Sequence, residues 1–257
     1  MTTTDHQHRR IALVTGGNRG IGRSTALHLA ADGVDVIVTS REHGDEAAEV
    51  VREIEARGRR AAALALDLTD TASFPAFAGA VRTTLRGWGR DTFDHLVNSA
   101  GFSRGGLIAD VTEEDVDALV AVHFKGPLFL TQALLALLAD GGSIVNLSSG
   151  LARFTYPQRA AYGSLKAAVD QLTRYMAAEL GPRGITANAV APGAVATDFS
   201  DGMLRDSPAA QAHMAEVTPL GRHAVADDIG PVIANLLRPG NGWMTGQRIE
   251  VAGGVHL

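Results

Sequence analysis

Thr15-Gly16-Gly17-Asn18-Arg19-Gly20-Ile21-Gly22 follows an apolar run, Ile11–Val14, and precedes a segment of helical period at 23–31. Glycines therefore fill a strand-to-helix turn. There the free amides of a helix start, with the positive end of its dipole, hold a phosphate. Glycine-rich turns also close ordinary loops, so the reading depends on what else the chain carries. Tyr162 and Lys166 stand one helical turn apart, and Ser149 lies thirteen residues before Tyr162. These segments describe a dinucleotide site with a proton-donor site beside it.

Working outward, apolar runs rich in Val, Ile and Leu recur at Ile11–Val14, 34–39, 61–66, 95–97, 143–147, 186–190 and Arg248–Val251. Runs that are apolar on both faces suit parallel strands covered on each side. Between them 47–57, 73–86, 113–138, 159–180 and 226–237 have helical period. The alternation predicts an α/β fold: a doubly wound, seven-stranded parallel sheet flanked by helices on both faces. No linker or repeat divides the chain, so 11–257 is expected to be one domain after a flexible polar tail at 1–10. The tail's His6 and His8 lack a third ligand, and no metal site is expected.

The 257 residues are long enough for a continuous core, and 46% apolar with 20% charged residues is the composition of a soluble protein. With no cysteine, disulfides and thiolate metal sites are excluded, in keeping with a reducing cytoplasm. A formal charge of −5 without basic runs argues against nucleic-acid or acidic-membrane partners. No apolar stretch reaches the roughly 20 residues of a membrane span, and no signal-peptide pattern opens the chain. The expected location is cytoplasmic.

In a doubly wound sheet, ligands sit beyond the carboxyl ends of the strands. The polar and glycine clusters fall there: Thr15–Gly22, Ser40-Arg41, Asp67-Leu68, Asn98-Ser99-Ala100-Gly101, Ser148-Ser149 and 192–197. An acidic residue ending the second strand would bind an adenosine ribose and repel a phosphate. Here Ser40 takes that place, with Arg41 beside it and Arg19 inside the glycine turn. Two guanidinium groups without a carboxylate suit a 2′-phosphate, which selects NADP(H). Asp67 with Leu68 either meets the adenine edge or caps the following helix.

A carbonyl that accepts hydride also needs a proton, and a phenol of pKa about 10 gives one up reluctantly. An ammonium on the same helix face favours the phenolate. Lowering the phenol by about three units requires roughly 4 kcal/mol, which Lys166 and a nicotinamide's positive charge are expected to supply. Ser149 would donate a hydrogen bond to the substrate oxygen.

With these residues in this order, nearly the whole chain resembles the short-chain dehydrogenase/reductase family. The matching motifs are Thr15–Gly22, Asn98-Ser-Ala-Gly101, Ser149, Tyr162-Gly-Ser-Leu-Lys166, Pro192-Gly-Ala-Val-Ala-Thr197, and Trp243-Met-Thr-Gly-Gln247 with Val251-Ala-Gly-Gly254. The resemblance implies a Rossmann-type fold and hydride transfer between NADP(H) and a ketone or secondary alcohol, of the 3-oxoacyl or polyketide type among others. It implies Tyr162 as acid/base, Lys166 on the nicotinamide ribose, Ser149 orienting substrate, and Val195 and Thr197 at the carboxamide. The cofactor set is then Gly16, Asn18, Arg19, Gly20, Ile21, Gly22, Ser40, Arg41, Asp67, Leu68, Asn98, Ala100, Gly101, Tyr162, Lys166, Pro192, Gly193, Val195 and Thr197. It also implies a homo-oligomer, a tetramer or a dimer, paired through the helices from Glu113 and Arg159 and the carboxyl end. A non-catalytic NADP(H)-sensing protein is the alternative, and it has no need of Ser149, Tyr162 and Lys166 together.

One departure matters. Where family members carry asparagine before a Lys/Arg-Gly pair, this chain has His123, followed by Phe124-Lys125-Gly126. Histidine can bridge to water and exchange protons near neutral pH, so a proton relay with altered pH behaviour is expected, against a plain structural histidine. Substrate choice is expected in 197–220, with Phe102, Phe154, Tyr156 and Met203 as apolar lining and Arg104, Arg153 and Arg159 as anion contacts.

Overall fold

Alternate residues of an apolar strand must be covered on both sides, and the first strand shows how: Ile11 and Leu13 face one core, Ala12 and Val14 the other, all four fully buried. The structure, a computed structural model, describes residues 9–41 and 44–257. The strands are β1 (Ile11–Val14), β2 (Asp35–Ser40), β3 (Ala61–Ala65), β4 (Phe93–Asn98), β5 (Leu138–Leu147), β6 (Thr186–Pro192), β7 (Val195–Ala196), β8 (Ala224–Val225) and β9 (Arg248–Val251). Seven of them form one parallel sheet in the order β3-β2-β1-β4-β5-β6-β9, while β7 and β8 pair separately. The order reverses at β1/β4, which opens a crevice beyond the strand ends.

Helices α1 (Gly20–Ala31), α2 (Asp45–Ala56), α3 (Phe74–Gly87), α4 (Glu113–Val120), α5 (Gly126–Leu134), α6 (Ala160–Leu180), α7 (Met203–Asp206), α8 (Pro208–Val217) and α9 (Ala226–Leu236) complete the chain. One core joins α3, α5 and α6 through Phe74, Leu130 and Leu172; the other joins α1, α2 and α9 through Leu29, Ile54 and Ile233. This is the Rossmann-type, doubly wound arrangement expected from the alternation. No helix among the described residues is long and apolar enough to cross a membrane.

The helix expected over 113–138 is three pieces. α4 runs into a π-helical turn, Ala121–Lys125, where the Gly126 amide bonds the Ala121 carbonyl five residues back, and only then does α5 begin. Pro127 is the reason: it has no N–H for the His123 carbonyl, so the helix widens at that point. The end of the expected helix is also wrong, because Leu138 already pairs with Phe93, and a register shift carries β5 through Gly141 to Ser143. At the other end α1 begins at Gly20, three residues earlier than its apolar period indicates. The tail expected at 1–10 lies outside the described residues up to position 8. Arg9 and Arg10 are held: the Arg9 carbonyl accepts from Arg90, and Arg10 donates to Leu237 O at 3.1 Å.

Candidate active site

The glycine turn is built by close approach. A Cβ on Gly22 would stand 2.2 Å from the Gly16 carbonyl oxygen, and one on Gly16, at φ 63°, would stand 2.9 Å from Ala100 Cα. Thr15 Oγ1 accepts from the Ser99 and Ala100 amides, both at 3.0 Å, and so ties this turn to the loop after β4. Nothing in the spacing of Thr15 and the 99–100 pair announces that tie. Arg19 at the N-cap of α1 makes no side-chain cap, so the helix start keeps its amide donors toward the crevice.

Arg19 and Arg41 are exposed and line the same cleft. Among the described residues neither is in an ion pair within 4 Å. A feature that sequence spacing did not reveal is Glu46, on the first turn of α2, whose carboxylate accepts from the Asn18 amide at 2.7 Å. The cradle, the uncapped helix start and two guanidinium groups without an ion pair among the described residues together fit a phosphorylated dinucleotide.

Gly16, Asn18–Gly22, Arg41, Ala100, Gly101, Pro192, Gly193, Val195 and Thr197 all line a cleft of about 670 Å³. Four expected residues lie outside that lining. Ser40 and Leu68 are buried, and Asn98 donates to Asn146 Oδ1 at 2.8 Å. Asp67, exposed, accepts from the Thr69 amide and hydroxyl at 2.8 and 2.7 Å; this closes the turn after β3 and does not cap the helical turn Thr71–Ser73, which Asp70 precedes. Burial works to raise the Asp67 carboxyl, yet the Thr69 bonds and the Arg41 charge leave it below its ordinary value.

Tyr162, Ser149, Lys166 and His123 meet at the other end of the same cleft. β5 delivers Ser149, whose Oγ accepts from the Leu151 amide at 3.2 Å and is hydrogen-bonded to Tyr162. Lys166 Nζ lies 5.5 Å from the Tyr162 ring centre and donates to Leu147 O at 2.6 Å. Burial pulls Lys166 down to about 7, against the charge of Asp170. The phenol, in contrast, is pushed above its ordinary value by burial, opposed by the Ser149 bond and the Arg159 charge. The acidification expected from helix spacing alone therefore starts from a higher point, and the demand on the positive groups exceeds about 4 kcal/mol.

The surroundings of His123 oppose the proton exchange near neutral pH expected of it. Burial, and then the Lys166 charge, bring it down to about 3, against a hydrogen bond to Phe102. Nε2 sits 2.6 Å from the Phe102 carbonyl, which only accepts, so Nε2 carries the hydrogen and Nδ1 is the acceptor. The ring lies edge-on to Tyr162 at 5.3 Å and 83°. It is a neutral strut between the Phe102 loop and the tyrosine.

The substrate end is partly as expected. Phe102 and Met203 line the cleft, joined by Phe199, 5.9 Å from the Tyr162 ring. Phe154 instead packs on His256 at 4.4 Å, and Tyr156 is turned outside the cleft. Arg104 lines the cleft but is paired with Asp115 at 2.7 Å, while Arg153 is paired with Glu250 at 2.9 Å away from it. Arg159 lines the cleft with a single neutral bond to Ser103 Oγ at 2.9 Å.

Comparison with known proteins agrees with this arrangement. Residues 16–256 match the family model described as Enoyl-(Acyl carrier protein) reductase. A hydroxynaphthalene reductase-like protein, Arp2, of Metarhizium brunneum is 37% identical over 95% of this chain and 94% of its own. The 3-oxoacyl-[acyl-carrier-protein] reductase FabG of Staphylococcus aureus is 36% identical over 96% and 98%. The crystal structure of the angucycline C-6 ketoreductase LanV with bound NADP superposes with a TM-score of 0.90 at 35% identity, covering 96% of this chain and 95% of that one. With full-length matches of this kind joined to the tyrosine, lysine and serine of one cleft, the chain belongs to the short-chain dehydrogenase/reductase family.

Proposed function

We propose that the protein is an NADP(H)-dependent oxidoreductase that reduces a ketone of the 3-oxoacyl or polyketide type, or oxidises the corresponding alcohol. The observation that carries this reading is the meeting of Ser149, Tyr162 and Lys166 in the cleft that begins at the glycine turn. The relatives support it, since those named are reductases and the LanV structure holds NADP.

Arg19 and Arg41 would hold the 2′-phosphate, the start of α1 the pyrophosphate, and Lys166 with the Val195–Thr197 segment the nicotinamide riboside. The bound cofactor supplies the hydride. Ser149 Oγ, fixed by its own bond from the Leu151 amide, donates to the substrate oxygen and orients it toward the phenol. Tyr162 donates its proton to that oxygen, and the phenolate left behind is stabilised by Ser149 and the Arg159 charge, with the Lys166 ammonium 5.5 Å from its ring adding to them. Phe102, Phe199 and Met203 exclude water and offer faces to a ring or acyl chain.

The cytoplasm is the proposed location. Subunits are proposed to pair through α5 and α6, where Phe129 and Tyr175 are 40% and 58% exposed, and through the carboxyl end, where Trp243 and Leu257 are each 99% exposed. Sedimentation at micromolar concentration tests this, a monomer refuting it. The function itself is tested with ketones, diketones and 3-oxoacyl thioesters, followed by NADPH absorbance, on the parent and Tyr162→Phe. Turnover is expected to collapse with NADPH affinity retained. No turnover of any ketone by the parent, with tight NADPH binding, would favour the nucleotide-sensing alternative.

A further inference from the structure

The last strand reaches beneath the residues that perform the chemistry. Arg248, at the start of β9, donates from Nη2 to the main-chain carbonyl of Ser149 at 2.9 Å and from Nε to Asp170 Oδ2 at 2.9 Å. Asp170 lies on α6 one turn beyond Lys166. The two side chains are 16% and 10% exposed, so this is an ion pair taken largely out of water. Glu250, two residues on in β9, accepts from Arg248 Nη1 at 2.8 Å and from Arg153 Nε at 2.9 Å. Arg153 closes the 3₁₀ turn, Gly150–Ala152, that follows Ser149. A strand from the far end of the chain thus grips the serine's own carbonyl and the turn after it.

Burying a charged pair is seldom the most stable solution, because desolvation opposes the attraction, so its position calls for a reason other than stability. We propose that Arg248 and Asp170 are positioning residues: Arg248 fixes the Ser149 main chain, and the pair together sets the electrostatic field at Lys166. This rests on the reductase reading above.

The groups around the ammonium define the sign. The Leu147 carbonyl of β5 accepts from it, His123 of the π turn is neutral, and Tyr162 and Asp170 flank it on α6. Asp170 in turn is faced by Ser148, Arg248 and Arg174. Asp170 favours the charged lysine, and Arg248 tempers that effect. Removing the carboxylate alone leaves the guanidinium opposing the ammonium; removing the guanidinium alone leaves the carboxylate supporting it. Burial raises the Asp170 carboxyl and Arg248 holds it down, so with Asp170 ionised, as the alkaline limb requires, the two changes act in opposite directions. A pair that only holds the fold together would give losses in the same direction.

The test measures kcat/KM for ketone reduction and, independently of turnover, the NADPH dissociation constant by fluorescence, each across pH 6 to 10. Asp170→Asn is expected to move the alkaline limb of both curves down by roughly half a unit to one unit, and Arg248→Met to move it up by a similar amount. Arg248→Lys keeps the charge but not the fork that spans Asp170 and Ser149. It is expected to lower kcat several-fold and leave the limb in place. Limbs that move the same way in Asp170→Asn and Arg248→Met, or do not move, overturn the field at Lys166. An unchanged kcat in Arg248→Lys overturns the grip on Ser149. Should Arg248→Met melt below the assay temperature, Asp170→Asn and Arg248→Lys carry the comparison, moved against unmoved. A parent that binds NADPH with these limbs yet reduces no ketone would sink the reductase reading and not this one.

Discussion

Removing the guanidinium groups of Arg19 and Arg41 singly and together should convert an NADPH-preferring enzyme into one that treats NADPH and NADH alike. Both side chains are exposed, and among the described residues neither has a carboxylate within ion-pair distance, so their charge is available to a ligand. A hydrogen bond to a charged group is worth roughly 1.5–3 kcal/mol, and solvent exposure holds each contact toward the lower end. Arg41→Ala is therefore expected to lower kcat/KM with NADPH by about 10-fold. The double variant Arg19→Ala/Arg41→Ala should lose about 100-fold if the two contacts act independently. NADH, which has no 2′-phosphate, should change less than about 2-fold.

The Asn18–Glu46 bond puts a carboxylate on the same rim. Glu46→Gln removes its repulsion and keeps the hydrogen bond, so NADPH should gain about 2-fold to 5-fold and NADH nothing. Since all these contacts are exposed, the NADPH preference should also fade as salt rises from about 0.05 to 0.5 M, where the screening length falls well below 10 Å. The assay is steady-state kinetics with both cofactors at each salt concentration. Equal losses with NADPH and NADH in Arg41→Ala, or a preference indifferent to salt, would refute the placement of the phosphate between these arginines.

Three further outcomes follow from the geometry. Gly22→Ala should weaken NADPH binding at least 10-fold in a fluorescence titration, because the new Cβ meets backbone at 2.2 Å; Gly79→Ala, with nothing within 4 Å in α3, should bind normally and melt slightly higher. An unchanged affinity in Gly22→Ala would remove the turn from the cofactor site. His123→Asn should leave the pH–rate profile superimposable from pH 5.5 to 9, since His123 at about 3 is neutral throughout, while the substrate KM rises about 5-fold as the Phe102 tie is lost; a limb that appears or vanishes near pH 6.5 would restore the proton-relay role. His95, 4% exposed in β4, is brought to about 3 by burial and then by the Arg10 charge, so the unfolded chain takes up its proton between pH 6.5 and 3 and the folded one does not. Stability on that account is full above pH 6.5 and falls as pH drops, by up to about 1.4 kcal/mol per unit, so in urea melts His95→Leu should show about 2 kcal/mol less loss than the parent between pH 7 and 5.

What the sequence disclosed follows from how local each signal is. Short runs apolar on both faces are buried as parallel strands covered by helices on each side, so the seven strands and their parallel sense were legible, as was the glycine turn. The break in the helix after Glu113 was legible too, because Gly126-Pro127 removes a backbone donor, and reading 113–138 as one helix passed over it. The two-residue β7–β8 ladder has no period to detect. Contacts such as Thr15 to the 99–100 amides, Glu46 to Asn18, and Arg248 to Ser149 join residues that only the sheet order brings together.

The direction in which Tyr162 shifts was beyond the reach of spacing for a different reason. Four residues of helix place Lys166 on the tyrosine's face, but whether the phenol rises or falls depends on how much water both groups lose. Burial removes water from each, pushing the tyrosine up and the lysine down to about 7. For a proton donor this has a use. A phenol held above its ordinary value stays protonated at neutral pH, and so is loaded when a carbonyl arrives. What makes it give the proton up must then be stronger for the phenolate than for the phenol: the Ser149 hydroxyl, the Arg159 charge, and Lys166, 5.5 Å from the ring, whose charged form Asp170 favours. Desolvation keeps the acid charged with its proton, and the cations lower the cost of losing it. The reaction works where the two are matched, which places the burden of tuning on residues outside the serine, tyrosine and lysine themselves.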